Sequence, residues 1–287
     1  MWEWDETLYA GSAAYYTRGR LPYPPALADA LRDELELDGT GRLLDVGCGP
    51  GSLTHLLAPL FAEAVGVDAD AGMLAEAARA GAPNVRWVQL RAEDLPAGLG
   101  TFRVATFAQS FHWMDRERVA ASVGGMLEPG GTWVHVGATT HRGAEDESGL
   151  PAPPPPRDAI EELVRRYLGP ARRAGRGSPP EATVRGEEAV MAAAGFAGPR
   201  RIEIARGEVF ERSEDDVVAS VFSLSSAAPH LFGDRLGAFE GDLRALLRRA
   251  SPDGRFAERA REIELVLWKP RPGGASPVPS GHGCSPE

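Results

Sequence analysis

Asp45, Gly47, Gly49 and Gly51 alternate directly after an apolar run, in Leu43-Leu44-Asp45-Val46-Gly47-Cys48-Gly49-Pro50-Gly51. A stretch with a helical pattern, Ser52 to Leu60, follows at once. A buried strand that feeds a glycine turn and then a helix brings main-chain N–H groups up against a ligand. The glycines are needed where a Cβ would block the turn or the ligand. The dinucleotide fingerprint is G-x-G-x-x-G, with its helix cradling a pyrophosphate. Here the glycines recur at every second residue and an acid opens the turn. That acid repels a pyrophosphate and suits a ligand carrying an ammonium group. Asp68 closes a second apolar run, Glu63 to Asp68, where a carboxylate can accept both hydroxyls of a ribose. Further on, Gln109, His112 and Trp113 cluster in Ala108-Gln109-Ser110-Phe111-His112-Trp113. A histidine has a reference pKa near 6.5, so neutral imidazole is available as a base at pH 7.

These residues need a frame. Apolar runs at Arg42–Val46, Glu63–Asp68, Asn84–Gln89, Phe102–Phe107 and Thr132–Val136 read as strands. Helical patterns lie between them: Ser52–Leu60, a helix holding Met73–Arg79, and Arg116–Leu127, the last followed by a turn at 128–131. Strands and helices alternating at this spacing predict an α/β fold, a doubly wound Rossmann-like sheet of seven mostly parallel strands. Right-handed crossovers then line up the ends of the strands, with Asp45, Asp68, Glu93 and Gln109, along one edge. Five regions are expected: an N-terminal lid arm (1–24), a cofactor-binding core (25–137), a Pro/Gly-rich excursion (138–180), a C-terminal part of the sheet with a helical substrate-pocket insertion (181–269), and a disordered tail (270–287). Within the excursion a helix is expected at 158–168; in the C-terminal part, helices are expected at 181–194, 214–224 and 231–250, and strands at 201–210 and 262–268.

The bulk properties narrow the function. The 287 residues carry a net charge of −10, which argues against a general nucleic-acid binder. Two cysteines form neither a structural disulfide framework nor a metal cluster. The acidic, aromatic N-terminus lacks a signal-peptide pattern, and no apolar run is long enough to span a membrane. A cytoplasmic protein, monomeric or homodimeric, is expected. His55 and His135 read as structural. Arg172, Arg173 and Arg176 read as a solvated loop, with an anion clamp as the sharper alternative.

Five motifs occur in order: Leu44 to Gly51, Gly66-Val67-Asp68, Met73-Leu74, Ala92-Glu93-Asp94-Leu95-Pro96 and Leu127-Glu128-Pro129-Gly130-Gly131. Together they resemble the class I S-adenosylmethionine-dependent methyltransferases, over roughly residues 15–137, with small-molecule members such as the UbiE and trans-aconitate methyltransferase groups nearest in character. The resemblance implies S-adenosyl-L-methionine as cofactor. Asp45, Gly47 and Gly49 would line its methionine and ribose part. Asp68, with Ala69 beside it, would hold the ribose hydroxyls. Met73 would lie near the adenine, and Ala92 and Glu93 would meet the adenine edge. Arg91 stands where many relatives carry an acid. Tyr15-Tyr16-x-x-x-Arg20 resembles a segment that covers the cofactor's amino-acid end, which assigns Tyr16 and Arg20 to a lid. Gln109 would face the methyl group, and Gln109, His112 and Trp113 the acceptor. The expected function is methylation of a small molecule, at oxygen, by in-line transfer, with secondary metabolism as its setting. A non-methylating cyclase or binding protein that uses the same cofactor is the alternative. A nicotinamide oxidoreductase is disfavoured by the glycine spacing.

Overall fold

Arg42–Val46 is buried along almost its whole length. A strand covered on both faces belongs in the middle of a parallel sheet, and that is its place here. The computed structural model of the chain describes residues 5–171 and 184–271. Helices α1 (Ala13–Gly19) and α2 (Pro25–Leu35) precede β1 (Arg42–Val46), α3 (Ser52–Leu57), β2 (Glu63–Asp68), α4 (Ala71–Arg79), β3 (Val85–Gln89), β4 (Phe102–Ala108), α5 (Arg116–Gly124) and β5 (Leu127–Gly137). The second part holds α6 (Arg157–Leu168), α7 (Val184–Ala193), β6 (Phe196–Ile204), β7 (Val209–Ser213), α8 (Glu214–Phe222), α9 (Leu236–Ala250), β8 (Arg255–Arg259) and β9 (Ile263–Pro270).

Seven strands form one sheet in the order β3-β2-β1-β4-β5-β9-β6. β9 runs antiparallel to both of its neighbours, and the other pairings are parallel. The chain leaves β1 for β2 on one side and returns to β4 on the other. In such sheets that reversal opens a crevice beyond the carboxyl ends of the two strands. One apolar layer, with Phe107, Trp133, Phe196 and Val123, fills the face covered by α5 and α7. A second, with Leu27, Leu31, Leu53 and Leu57, fills the face under α2 and α3. A third core lies in the helical insertion, where α6, α8 and α9 bury Leu163, Phe222 and Phe239 and hold Tyr15 of α1.

Four boundaries differ from the sequence expectation. The helix starting at Arg116 stops at Gly124, because consecutive glycines remove the side chains that would sustain another turn. Leu127 instead pairs with Phe102, and residues 128–131 form an irregularity within β5 rather than a separate turn. The stretch 201–210 is not one strand. β6 ends at Ile204, and β7 pairs with β8 in a separate two-stranded sheet. The helix expected over 231–250 begins as 3-10 turns from Pro229 and becomes α-helical at Leu236, after Gly233 at φ +52°. No described helix is long and apolar enough to cross a membrane. The arginines at 172, 173 and 176, the first four residues and the tail from 272 onward lie outside the described residues.

Candidate active site

The glycine turn leaves β1 with Gly47 at φ +68°, Gly49 at +54° and Gly51 at +77°. Close packing explains two of them. A Cβ on Gly47 would lie 2.5 Å from Ser110 Cβ, and one on Gly51 would lie 2.5 Å from the Trp87 ring. Gly49 is different, since a Cβ there would meet nothing within 4 Å. It would stand in a cleft.

That cleft is lined by Gly47, Gly49, Asp68, Ala69, Met73, Ala92, Glu93, Gln109, Trp113 and Tyr16, all expected from sequence, together with Tyr9, Val67, Leu90, Arg91, Ala108, Ser110 and Met114. Four strand ends supply most of them, the β1 turn, the end of β2 and the segments after β3 and β4, and α4 and the N-terminal arm add Met73, Tyr9 and Tyr16. Asp68 accepts the backbone N–H of Gly49 on Oδ2 and that of Asp70 on Oδ1, both at 2.8 Å. Burial pushes its carboxyl up to about 6, with these two N–H groups working against that rise. Asp70 caps α4 through the N–H groups of Gly72 and Met73, which fixes Met73 over the cleft. Glu93 Oε1 accepts the N–H of Asp115 at 2.9 Å and so ties its loop to the start of α5.

Two expected cofactor residues are absent from this lining. Asp45 is fully buried beneath the turn. Its two oxygens accept the hydroxyls of Thr54 at 2.5 Å and Thr106 at 2.9 Å, and burial pushes it up to about 6. Arg20 stacks over Tyr16 at 4.4 Å and donates to the Ser223 hydroxyl and carbonyl. It pins the arm to the insertion. His55 bonds the Ala77 carbonyl and packs against Trp87, a structural role.

Sequence reasoning missed Tyr9. Its ring stands 6.4 Å from Tyr16 and 6.5 Å from Trp113, so three aromatics bridge the mouth of the cleft. Tyr9 lies in a run of turns before α1, where no local periodicity marks it.

Trp113 therefore stands on the side of the first cleft, whereas His112 lines a second one. The two clefts share Gln109 and Ser110. Gln109, at φ +54°, is a non-glycine residue held in the left-handed region at this junction, a strain that concentrates at functional sites. The second cleft also holds Phe111, Arg116, His135, Gly137, Glu187 and Trp268. Trp133 Nε1 donates to His135 Nε2 at 2.7 Å, which makes that nitrogen an acceptor and the imidazole neutral. Burial agrees, pushing His135 down to about 3. Glu187 Oε1 lies 3.1 Å from the same nitrogen. The contact is attractive only when Glu187 carries the proton, and burial moves its carboxyl in that direction. Among the described residues no cluster of side chains could hold a metal ion.

With this geometry in place, the relatives are informative. Residues 43–131 match the family described as methyltransferase domain. An uncharacterised methyltransferase of Mycobacterium tuberculosis is 35% identical over 128 residues, 44% of this chain and 51% of that protein. A protein of Saccharomyces cerevisiae, named as a probable S-adenosylmethionine-dependent methyltransferase, is 29% identical over 134 residues, 43% of this chain and 45% of its own length. The chain thus spans about half the length of these relatives. A solved structure from Anaeromyxobacter dehalogenans, described as a candidate type II methyltransferase, superposes with a TM-score of 0.50 at 23% identity, covering 86% of this chain and 95% of that one, and shows the shared fold. Residues 43–131 thus match a methyltransferase domain, set in a Rossmann-like sheet of seven mostly parallel strands.

Proposed function

We propose that the chain transfers a methyl group from S-adenosylmethionine to an oxygen of a small molecule, by in-line displacement. The observation that carries this reading is the junction at Gln109 and Ser110, where the cleft of the glycine turn meets a cleft that contains a histidine. The residues fit the cofactor: Gly49 leaves space where any side chain would intrude, and Asp68 offers a carboxylate at the cleft wall. When bound, the sulfonium group supplies an activated methyl.

The chain's own residues do the remaining work. Asp68 accepts the ribose hydroxyls. Tyr9, Tyr16 and Trp113 exclude water from the reacting atoms, and alignment with exclusion of water is most of what a displacement of this kind requires. His112 would take the proton of the acceptor's hydroxyl, and the cofactor, held at the glycine turn and Asp68, would supply the methyl group that this oxygen receives. A carboxylate acceptor would need no such base, so the placement of His112 favours a hydroxyl. The net acidity disfavours nucleic acid as the acceptor. A cytosolic setting accords with two cysteines and the lack of an apolar spanning helix among the described residues.

The test is incubation of the protein with methyl-labelled cofactor and a panel of alcohols, phenols, carboxylic acids, amines and thiols. Label is expected in ethers. Label in amines or thiols would move the reaction to another atom. Tight cofactor binding with no transfer to any acceptor would replace the reading by a non-methylating use of the cofactor.

A further inference from the structure

The second cleft has a capacity of about 240 Å3, against about 80 Å3 for the first, across which the aromatic arm stands. Its deep wall is apolar and aromatic: Phe107, Phe111, Val266 and Trp268 are each less than 9% exposed. Its depth follows from strand register. Gly137 pairs with Glu264 at the upper end of β9, and Trp133 pairs with Trp268 four residues further along. At ~3.3 Å per residue the cleft wall runs about 13 Å from Gly137 to Trp268.

Two features of this cleft have no structural explanation. The first is the indole N–H of Trp268. Trp268 is 3% exposed, and among the described residues its Nε1 has no hydrogen-bond partner. Its register partner Trp133 has the same group answered by His135. A buried donor without an acceptor is costly and is seldom left so. The second is Gly137. Side chains alternate along a strand, so a residue here would share the face of Trp133 and His135, on the cleft side. Its backbone does not require glycine, because its φ is not positive, and a Cβ would meet only Glu264 at 3.4 Å or more. What distinguishes glycine here is the missing side chain, which keeps the mouth of the cleft open.

The rim is balanced in charge. Arg201 is bridged by Glu188 at 2.8 Å and Glu264 at 2.9 Å. Arg116 and Glu187 both line the cleft, and the Arg116 charge acts on the Glu187 carboxyl. Neither sign of charge is in clear excess, so the cleft selects for shape and apolar surface over charge.

We infer that this second cleft seats the methyl acceptor, and that the acceptor is an uncharged, flat aromatic alcohol whose far end carries an oxygen to accept the Trp268 indole N–H. The inference rests on the methyltransferase reading for the word acceptor, but the cleft's ligand class stands on its own residues. The ligand's hydroxyl lies at the mouth beside Gln109 and His112. Its rings lie against Phe107, Phe111 and Val266.

The experiment titrates the full chain calorimetrically with 2-naphthol and with 6-methoxy-2-naphthol, each with and without S-adenosylhomocysteine. The methoxy compound, which carries the far oxygen, is expected to bind about 10-fold tighter, as one well-placed hydrogen bond allows. Trp268→Phe removes that difference. Gly137→Leu weakens both probes by at least about 10-fold by filling the mouth, while cofactor affinity stays within about twofold of the original. Gly137 has room for a Cβ, so this variant carries the test even if Trp268→Phe does not fold. Absence of binding by both probes at millimolar concentration overturns the inference, and so does binding by Gly137→Leu at the original strength. Probe binding in a protein that fails to bind S-adenosylhomocysteine would sink the methyltransferase reading and leave the cleft's ligand class standing.

Discussion

The N–H of Gly49 donates a 2.8 Å hydrogen bond to Oδ2 of Asp68. This bond joins the turn after β1 to the end of β2, two elements nineteen residues apart. It fixes the carboxylate at the cleft wall before any ligand arrives. It also makes the site's geometry and its charge interdependent, because the same carboxyl is pushed up to about 6 by burial.

Cofactor affinity should therefore depend on pH. The ionised carboxylate can accept two ribose hydroxyls, and protonation takes one of those lone pairs. Affinity should be full above about pH 7 and fall below pH 6, by up to about 10-fold per unit. Calorimetry between pH 5 and 8 reads this directly. Asp68→Ala should lose about 100-fold at pH 8, as expected for charge-assisted hydrogen bonds, and flatten the profile. A flat profile in the unmodified protein would remove Asp68 from ribose binding.

Asp45 should act on stability with the opposite sense of pH. Its folded value, about 6, lies above the value near 3.9 of an unfolded aspartate. Folding therefore takes up a proton between those limits. The carboxyl is no burden below about pH 4, and its cost grows as pH rises through 6, to ~3 kcal/mol when fully charged. Asp45→Asn keeps partners for Thr54 and Thr106 and removes the charge. Its urea midpoint should exceed that of the unmodified protein at pH 8 and match or fall below it at pH 4. A constant difference across that range would contradict the assignment.

Gly49 and Gly81 make a matched pair. Both have positive φ, +54° and +59°, and a Cβ on either meets nothing within 4 Å. Alanine at each carries a similar backbone strain of ~1–2 kcal/mol. Only Gly49 lines the cleft. Gly49→Ala should lower cofactor affinity at least about 10-fold, the loss a displaced close backbone contact entails, and Gly81→Ala should leave it unchanged. Equal effects at the two positions would mean that the turn's strain matters and the open space does not.

Much of this site was legible because its residues sit at strand ends. Apolar runs ending in Asp45 and Asp68 placed β1 and β2, and crossover handedness placed both ends on one edge. The second cleft was not legible. His135, Glu187 and Trp268 come from β5, α7 and β9, and they meet only because β9 inserts antiparallel between β5 and β6. Nothing local to any of the three announces that register. Tyr9 was hidden for another reason. Residues 5–12 are a run of turns held by backbone hydrogen bonds such as Leu8 to Asp5 and Ser12 to Tyr9, so they carry no periodicity to read. The β7–β8 pair was concealed because Arg201–Phe210 alternates as one strand does, although it breaks after Ile204.

His112→Ala should cut turnover about 10²–10⁴-fold with a hydroxyl acceptor, the range for loss of a positioned base. Cofactor affinity should be nearly unaffected, since His112 lines only the second cleft. The loss should shrink as pH rises and the acceptor ionises unaided. Steady-state rates from pH 6 to 10, for the variant and the unmodified protein, separate this from a packing role, which would lower turnover evenly across the range.

The arm over the first cleft is latched at its far end. Arg20 donates to the Ser223 hydroxyl at 2.9 Å and carbonyl at 2.8 Å, and Arg18 pairs with Asp216 at 2.6 Å. Between them Gly19 lies so close to α8 that a Cβ would sit 2.4 Å from the Ala219 carbonyl oxygen. Backbone therefore packs directly on backbone, and the rings of Tyr9 and Tyr16 are carried over the cleft as a unit with α1. On the proposed reading, the cofactor enters and leaves past these rings. The Arg18 pair is exposed and contributes little, as surface ion pairs do. The half-buried Arg20 bonds and the Gly19 contact hold the latch. Gly19→Val should lift α1 from α8, and Arg20→Ala should loosen it. Both should speed cofactor release by about 10-fold or more, in line with affinity changes that fall mainly on dissociation, with a smaller change in association. Stopped-flow displacement of a fluorescent cofactor analogue measures the two rates separately. Arg18→Ala serves as the control on the same helix. If all three variants release cofactor at the original rate, the arm does not gate the cleft.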